Sequence, residues 1–572
     1  MCGIFCLLNN DNHFKSEFIE KQFKKGKGRG PEHSKLTSVS IKALFGFHRL
    51  AINGLNSESN QPIVDGNIIL ICNGEIYNYK ELYKMLDVKP NTDSDCEVII
   101  HLYKKYGIDH TLQLLDGVFS FILCDNKIYN TPSQIYIARD PYGVRPLYIL
   151  RDCSNEKGIS KSRIFGFASE LKVLSEFTKF SKYNFVIEHF EPGTYSVYSQ
   201  KFQVMSKWKF SYERKYHSTG FNINPYCSVN INKEIQHYLI SAVKKRVIVT
   251  DRPVACLLSG GLDSSLITAL VNQIHKQENG PDKKLETYSI GLEGSEDLKY
   301  ARLVSDYLGT NHTEILLTEQ DFIDAIPEVI YTIESYDTTT VRASIGNYLL
   351  GKYISQNSDA KVIFNGDGSD ELCGGYLYMH KAPNQLEFDY ECRRLLNNIY
   401  AFDVLRSDKC ISSHGLEPRT PFLDRSWVQF YLGIDPKLRF HPGEKQCEKY
   451  LLRNAFCKEN YLDLEGKSLL PDEVIWRKKE AFSDGVSKTT RSLYQIIQEY
   501  IETQNRDYNN FEYYTHNTPS TDEQKYYRKL FEEYYTGLSN VVPYFWMPRY
   551  INANDASART LDFYNNPTDD SA

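Results

Sequence analysis

The segment from Ala255 to Ser265 combines residue types that can hold a phosphate group. An apolar run at positions 254–258 predicts a strand, Ser-Gly-Gly forms a tight turn, and apolar residues recur at helical spacing over 262–274. Glycines let backbone N–H groups approach an anion closely, and a helix N-terminus adds unpaired donors and its dipole. The pattern predicts an anion-binding loop, although a Gly-Gly pair after a strand can also be a simple turn.

This loop lacks the lysine of the common P-loop, but it carries three serine hydroxyls and one carboxylate. Because a carboxylate repels phosphate, Asp263 fits such a site only where a metal cation bridges the two. The sequence Ser-Gly-Gly-Leu-Asp-Ser resembles the pyrophosphate-binding loop of ATP pyrophosphatases. That resemblance implies cleavage of ATP between its α and β phosphates.

The totals of the chain limit its class. Its 572 residues are too many for one core, so two large domains are predicted. A net charge of −6 argues against nucleic-acid binding, and we find no apolar run of the roughly 18 residues that span a membrane. The N-terminus has no basic segment typical of a signal peptide, and the 13 cysteines are scattered, so a cytoplasmic protein with reduced thiols is predicted.

Cys2 follows the initiator methionine, which is ordinarily removed before a small residue. The mature chain would then carry a thiol and a free α-amine on one residue. Since an α-amine has a pKa of about 7.7–8.0, it can act as a base near neutral pH and activate the thiol. The alternative is a cysteine that packs as a small apolar residue.

Apolar segments of the first half predict more strands than helices. Stacked antiparallel sheets flanked by helices fit that pattern. The predicted strands are 43–52, 67–72, a strand within 111–125, two strands within 135–150, and 165–170.

The motifs Met-Cys-Gly-Ile-Phe, His-Arg-Leu-Ala-Ile, Asn-Gly-Glu-Ile-Tyr-Asn, Asp-Gly-Val-Phe-Ser-Phe and Arg-Asp-Pro-Tyr-Gly-Val-Arg-Pro-Leu-Tyr span most of residues 2–195. Together they resemble the class II glutamine amidotransferase domain. The resemblance implies an N-terminal-nucleophile fold, a four-layer αββα sandwich, in which Cys2 attacks the side-chain amide of glutamine.

The same resemblance implies roles for other residues. Asn73 and the backbone N–H of Gly74 would hold the oxyanion, and Arg49 would pair with the α-carboxylate of glutamine. Two acids, Glu75 and Asp95, would recognise the α-ammonium group of glutamine. Four further positions would line the pocket: Leu50, Ala51, Ile52 and Asn53.

One segment departs from this family. Its members usually carry His-Arg-Gly-Pro-Asp, whereas this chain has Gly-Arg-Gly-Pro-Glu at 28–32. The lost histidine and the longer acid, Glu32, are expected to change the local packing. None of the residues assigned to the chemistry is lost.

The second half alternates strands and helices. Helices are predicted over 232–249, 299–308 and 321–333, and strands over 254–258, 285–292 and 361–364. This order predicts a doubly wound parallel α/β sheet whose ligand lies at the carboxyl ends of the strands. The loops at 259–265, from 291 onward, and at 365–371 should therefore converge on one site.

Motifs at 335–344, 365–371, 415–424 and 476–485 complete a resemblance to the synthetase domain of the glutamine-dependent asparagine synthetases. That domain is of the ATP-pyrophosphatase type, an adenine nucleotide alpha hydrolase-like fold. The resemblance implies ATP as substrate and Mg²⁺ as cofactor. It assigns ATP to Leu257, Ser259, Gly260, Gly261, Asp263, Ser264, Ser265, Ile290, Asn365, Gly366 and Tyr376; aspartate or pyrophosphate to Thr339, Thr340 and Arg342; Mg²⁺ to Asp263 and Asp370; and catalysis to Asp367 and Lys479.

The loop at 365–371 departs from the usual Ser-Gly-Glu-Gly-Ser-Asp-Glu. Asn365 replaces the serine, and Asp367 replaces the glutamate that the family uses to form the aspartyl-adenylate and to handle ammonia. Asp367 keeps the carboxylate with one methylene less of reach. Retained but slower chemistry is expected.

The resemblance therefore implies an α/β two-domain ligase that makes asparagine from aspartate, ATP and glutamine through β-aspartyl-AMP, as a homodimer. The expected divisions are a glutaminase domain at 2–198, a linker at 199–232, a synthetase domain at 233–560 and a tail at 561–572. Two alternatives remain: another amide or β-lactam-forming synthetase on this scaffold, and a weakened storage or regulatory descendant. The first tends to lose the N-terminal cysteine, and the second predicts eroded loops.

Overall fold

The structure is a computed structural model of the chain. It describes residues 1–127, 132–153, 164–180, 184–201, 206–220, 222–223, 230–442, 447–463, 465–479, 485–487, 491–503, 514–553 and 555–557. The predicted C-terminal tail, 561–572, lies outside the described residues. None of the described helices is long and apolar enough to cross a membrane.

The chain divides into two compact units. The first unit contains Met1–Ser218 together with two short later segments, Val249–Arg252 and Ser412–Glu417. The second unit contains Thr219–Ile248, Pro253–Ile411 and Pro418–Ala572.

Two six-stranded sheets form the first unit, and the described strand pairs within them are antiparallel. Because successive residues of a strand point to opposite faces, Ile71 and Ile122 face one side of their sheet, and Leu70 and Leu123 face the other. The first sheet has the order Phe185–His189, Tyr148–Asp152, Phe165–Ala168, Gly3–Leu8, Ala43–Arg49 and His33–Ser40. The second has the order Lys209–Lys215, Thr194–Gln200, Ser133–Arg139, Gly117–Asp125, Ile68–Ile76 and Ile63–Asp65.

The packing confirms the predicted four layers. A core that joins Ile4 and Phe45 of one sheet to Ile71 and Ile122 of the other fills the space between the sheets. A second core lies between the outer face of the second sheet and two helices, and two more helices lie beside the first sheet. The helices are Tyr79–Leu86 and Val98–Leu114 on the second sheet, and Ser16–Lys24 and Leu171–Leu174 on the first.

The first unit extends beyond the predicted boundary at residue 198. Lys209–Lys215, expected in a linker, is an edge strand that pairs with Thr194–Gln200. Its charged and polar residues leave it mostly exposed, so it lacks the apolar alternation that marks a half-buried strand. The main segment of the first unit therefore ends at Ser218.

A five-stranded sheet with parallel central strands organises the second unit. Its order is Asn311–Leu317, Glu286–Leu292, Val254–Leu257, Val362–Phe364 and Glu417–Arg419. Val254 pairs with Val362 and Ala255 with Glu286, so the central strands end at one edge, as predicted. The helices of this unit are Ile231–Ile248, Leu262–Asn279, Glu296–Leu308, Glu319–Ile333, Thr338–Asn357, Ser369–Cys373, Gln385–Asn398, Asp403–Ser412, Arg425–Gly433, Pro436–Arg439, Tyr450–Phe456, Asp472–Ile475, Leu493–Thr503 and Asp522–Tyr534.

Candidate active sites

The first site lies at the start of the N-terminal strand. Gly3 pairs with His48 in the antiparallel register, which places Cys2 beside Arg49. The thiol of Cys2 lies 3.7 Å from the carbonyl oxygen of Leu50. The buried Arg29 donates from Nε to the backbone carbonyl of Cys2 at 2.9 Å, so the Gly-Arg-Gly-Pro-Glu segment fixes the backbone of the predicted nucleophile.

The predicted oxyanion residues lie on the neighbouring sheet. Asn73 is fully buried, and its Nδ2 lies 3.5 Å from the hydroxyl of Ser169, which accepts a hydrogen bond from the backbone of Ile4 at 3.0 Å. Only glycine fits at the next position, because a Cβ on Gly74 would lie 2.4 Å from the carbonyl oxygen of Val118. The backbone at positions 73–74 is thus fixed, so that the Asn73 amide and the Gly74 N–H can donate hydrogen bonds to a substrate.

The predicted glutamine-recognition residues form a buried, hydrogen-bonded group. Arg49 donates to the Asn56 carbonyl and the Asn60 side chain, both at 2.8 Å. Asn53 donates to Glu75 at 2.6 Å. The carboxylate of the other predicted acid, Asp95, accepts from the backbone N–H of Ile76 at 2.7 Å, so it fixes the strand that carries Glu75.

Glu32 braces the loop at 50–53. One of its carboxylate oxygens accepts from the backbone N–H of Ala51 at 2.6 Å, and the other accepts from Arg252 at 2.7 Å. Arg252 also donates from Nε to the carbonyl of Ala51 at 2.8 Å. Both carboxylate oxygens of Glu32 therefore accept hydrogen bonds. Its partner Arg252 lies in a later segment that the sequence patterns did not connect with the first half.

The second site is a pocket at the carboxyl ends of the central parallel strands. The predicted loops at 259–265 and 365–371 meet there, because the strands that precede them are adjacent in the sheet. The strand Glu286–Leu292 lines the pocket through Tyr288, Ser289 and Ile290, and residues 291–296 of the third predicted loop do not line it. Predicted residues that line the pocket are Leu257, Ser259, Gly261, Asp263, Ser264, Ile290, Thr339, Asn365, Gly366, Asp367, Asp370, Tyr376 and Lys479.

Two of these loops are in direct contact. A Cβ on Gly366 would lie 2.8 Å from the backbone of Asp263 and Ser264, so glycine is required there. Ser369 donates its hydroxyl to Asp263 at 2.7 Å. The pyrophosphate-type loop and the acidic loop therefore form one continuous wall of the pocket.

Two lysines lie between the two predicted metal ligands. Lys449 Nζ contacts Asp263 and Asp370, each at 2.5 Å, and Lys479 Nζ contacts Asp370 at 2.7 Å. Burial alone would raise the pKa of Asp370, but Lys449 and Lys479 hold it well below its usual range. Sequence reasoning missed Lys449 because no strand–loop motif surrounds it.

Asp367 belongs to a second charged group in the same pocket. Arg406 lies 3.4 Å from Asp367 and 3.1 Å from Asp403. Burial raises the pKa of Asp367, although Arg406 acts in the opposite direction. Asn365 donates to the hydroxyl of Ser407 at 2.7 Å and so ties this loop to the helix that carries Arg406. Arg406 and Asp403 had no motif that could reveal them.

Four predicted residues do not line the pocket. Gly260 turns the chain with a φ of 71°, and Ser265 is fully buried on the helix that follows. Thr340 donates to Asp337 at 2.7 Å. The guanidinium of Arg342 is paired with Glu523 and Asp555, at 2.8 Å to each.

The comparisons with known proteins cover both halves of the chain. The family described as Asparagine synthase matches residues 234–389 and 382–546, and the Glutamine amidotransferase domain matches residues 1–210. The glutamine-hydrolysing asparagine synthetase of Homo sapiens is 38% identical over 581 residues, with 99% of each chain covered. The corresponding enzymes of Gallus gallus and Bos taurus are each 39% identical, also with 99% of each chain covered.

The fold and the two sites define a glutamine amidotransferase joined to an ATP-using synthetase. The chain matches its relatives over nearly their whole length, and the amidotransferase and synthetase motifs lie where the two sites form. It belongs to the family of glutamine-hydrolysing asparagine synthetases.

Proposed function

We propose that the protein makes L-asparagine from L-aspartate, with ATP as the source of energy and L-glutamine as the source of nitrogen. The first unit hydrolyses glutamine to glutamate and ammonia. The second unit joins aspartate to AMP, releases pyrophosphate, and lets ammonia displace AMP from the activated carbonyl. The observation that supports this most strongly is the pocket where the Ser-Gly-Gly-Leu-Asp-Ser loop meets the acidic loop and Lys449.

The direct test measures asparagine, AMP and pyrophosphate in reactions with aspartate and ATP. Glutamine and ammonium are supplied in separate reactions. The proposal predicts asparagine from either nitrogen source, with one AMP for each asparagine. Glutamate release without AMP would contradict it for the second unit.

In the first unit, Cys2 is the nucleophile. Burial raises the pKa of its thiol, so the thiol needs a base. Burial also lowers the pKa of the N-terminal ammonium of Met1 below 8.0, despite the attraction of Glu417. We infer that removal of Met1 leaves an α-amine on Cys2 that takes the thiol proton at neutral pH. Asn73 and the Gly74 N–H then bind the oxyanion.

In the second unit, the donor set fits Mg²⁺. Asp263 and Asp370 offer carboxylate oxygens, which this ion prefers, and nucleotide phosphates would complete its coordination. Among the described residues, no cluster of three or more His, Cys, Asp or Glu side chains forms a separate metal site. When bound, the ion would offset the charge of the leaving pyrophosphate. Lys449 and Lys479 position the two carboxylates and add positive charge at the phosphates.

Asp367 is proposed to accept the proton that ammonia loses as it attacks. Its raised pKa suits that role, since a better base takes the proton more readily. Asp367→Asn should lower the rate of asparagine formation by about 10²–10⁴ with either nitrogen source. Asp367→Glu, which keeps the carboxylate, should be far more active. Equal rates for Asp367→Asn and the wild type would contradict the role.

Glu32 is proposed to position the glutamine-binding loop. Glu32→Ala leaves the N–H of Ala51 and the guanidinium of Arg252 without this acceptor, a loss of about 1–3 kcal/mol. We expect a KM for glutamine about tenfold higher or more, with ammonia-dependent synthesis unchanged. The exposed Glu20→Ala serves as the matched control. An unchanged KM in Glu32→Ala would refute the bracing role.

The remaining expectations concern the whole protein. We propose that it works as a cytoplasmic homodimer and binds neither nucleic acid nor membranes. The family resemblance supports the dimer, and the net charge of −6 agrees with the absence of nucleic-acid binding. Light scattering of the purified protein tests the dimer, and a mass of one chain would contradict it.

A further inference from the structure

Three carboxyl groups in the second pocket, Asp367, Glu371 and Asp403, have one cation, Arg406, paired with any of them among the described residues. Arg406 pairs with Asp367 and with Asp403, at 3.4 and 3.1 Å. Glu371, in the helix Ser369–Cys373, is 4% exposed and has no ion pair among the described residues. Among the described residues, its hydrogen-bond donor is the hydroxyl of Tyr376, which lies 2.7 Å from Oε1 of Glu371 and 3.3 Å from Asp403.

The other pocket carboxylates have their own cations. Asp263 and Asp370 share Lys449 and Lys479, and two further acids each pair with an arginine. Those pairs are Asp297 with Arg477 and Glu448 with Arg453. The shortage of positive charge is therefore local to the group of Asp367, Glu371 and Asp403.

Glu371 also has an unused oxygen. Oε2 of Glu371 is buried and accepts a hydrogen bond from no N–H or O–H group of the described residues, and the carboxyl group of Asp403 lies within hydrogen-bonding distance of the Glu371 side chain. Buried carboxylates are normally paired or hydrogen-bonded, so an unpartnered oxygen beside a pocket indicates a place for a donor. Glu371, Tyr376, Asp403 and Thr339 line both the main pocket and a small cavity behind it that also contacts the rings of Tyr544 and Trp546.

We propose that Glu371 and Asp403 bind the α-ammonium group of L-aspartate. An ammonium group supplies three donors and one positive charge, which match the unused oxygen and the missing cation. Aromatic rings nearby favour a cation as well. The β-carboxylate of the substrate would then extend towards the loop at 259–265, where the phosphates of ATP bind. The inference rests on the proposed use of aspartate and adds the residues that select an amino acid over a plain diacid.

The test pairs a change in the protein with a change in the ligand. Succinate is aspartate without the α-ammonium group. In the wild type, succinate should inhibit with a Ki far above the KM for aspartate. Glu371→Gln should raise the KM for aspartate about 10- to 100-fold and leave the Ki of succinate nearly unchanged, because only the ammonium contact is weakened. Glu371→Asp, which keeps the charge, should fall between the two.

These ratios do not depend on how much of the variant folds. Glutamine hydrolysis and the KM for ATP should be those of the wild type. Glu391→Gln is the matched control, since Glu391 is a fully buried acid of the same unit that does not line the pocket. The proposal is overturned if Glu371→Gln raises the KM for aspartate and the Ki of succinate by the same factor. It is also overturned if the KM for ammonium rises while that for aspartate stays. Failure of the proposed function itself would appear earlier, as a wild type that makes no asparagine.

Discussion

Replacement of Cys2 by alanine should abolish glutamine-dependent asparagine synthesis and leave ammonia-dependent synthesis intact. The thiol is the proposed nucleophile that forms the acyl intermediate, so its loss should lower glutamine hydrolysis by a factor of about 10⁴ or more. The second unit forms its own compact body around its own sheet, and its pocket needs nothing from Cys2. Asparagine production from ammonium should therefore remain at the wild-type rate.

The measurement is the rate of glutamate release and of asparagine formation for Cys2→Ala, with each nitrogen source in turn. Cys153→Ala is the matched control, because Cys153 is also a partly exposed free thiol of the first unit. Glutaminase activity of Cys2→Ala close to that of the wild type would show that Cys2 is not the nucleophile.

Replacement of Lys449 by methionine should impair asparagine synthesis and leave glutamine hydrolysis intact, the reverse of the effect expected for Cys2→Ala. Lys449 is 1% exposed in its side chain and lies between Asp263 and Asp370. Removal of one partner from a buried charge pair costs about 3–5 kcal/mol, because the remaining charges stay buried without compensation. We expect asparagine formation to fall by about 10²–10⁴ with both nitrogen sources, since an equal loss of transition-state stabilisation corresponds to that range. Glutamine hydrolysis should persist.

A second measurement separates catalysis from folding. The thermal unfolding of Lys449→Met is followed, and its activity is measured at a temperature where the variant is fully folded. Activity should stay low there if Lys449 supports the phosphates. Wild-type activity in the folded variant would assign Lys449 a structural role only. Lys458→Met is the surface control, because Lys458 pairs with Asp472 on an exposed face.

Sequence patterns predicted those parts of the fold and of the sites that are built from residues close together in the sequence. The Ser-Gly-Gly-Leu-Asp-Ser loop lies at a strand end because its strand, turn and helix are consecutive, and parallel pairing then brings the loop at 365–371 beside it. The antiparallel layers of the first unit followed from the apolar strands in the same way.

Contacts between distant segments could not be predicted. Lys449 and Arg406 reach the pocket from helical regions that carry no signal of their own, and Arg252 reaches the loop at 50–53 across about 200 residues of sequence. Arg342 shows the reverse error: a residue in a family motif is directed to carboxylates near the end of the chain. The strand Lys209–Lys215 was missed because its mostly exposed side chains lack apolar alternation.

One labelling experiment tests the central claim, that one chain activates aspartate with ATP and then delivers nitrogen from glutamine. The protein is given aspartate with heavy oxygen in its β-carboxyl group, glutamine with heavy nitrogen in its amide, and ATP. Mass spectrometry then follows both labels. We expect heavy oxygen in AMP and heavy nitrogen in the side chain of asparagine. Unlabelled AMP, or ADP in place of AMP, would contradict it.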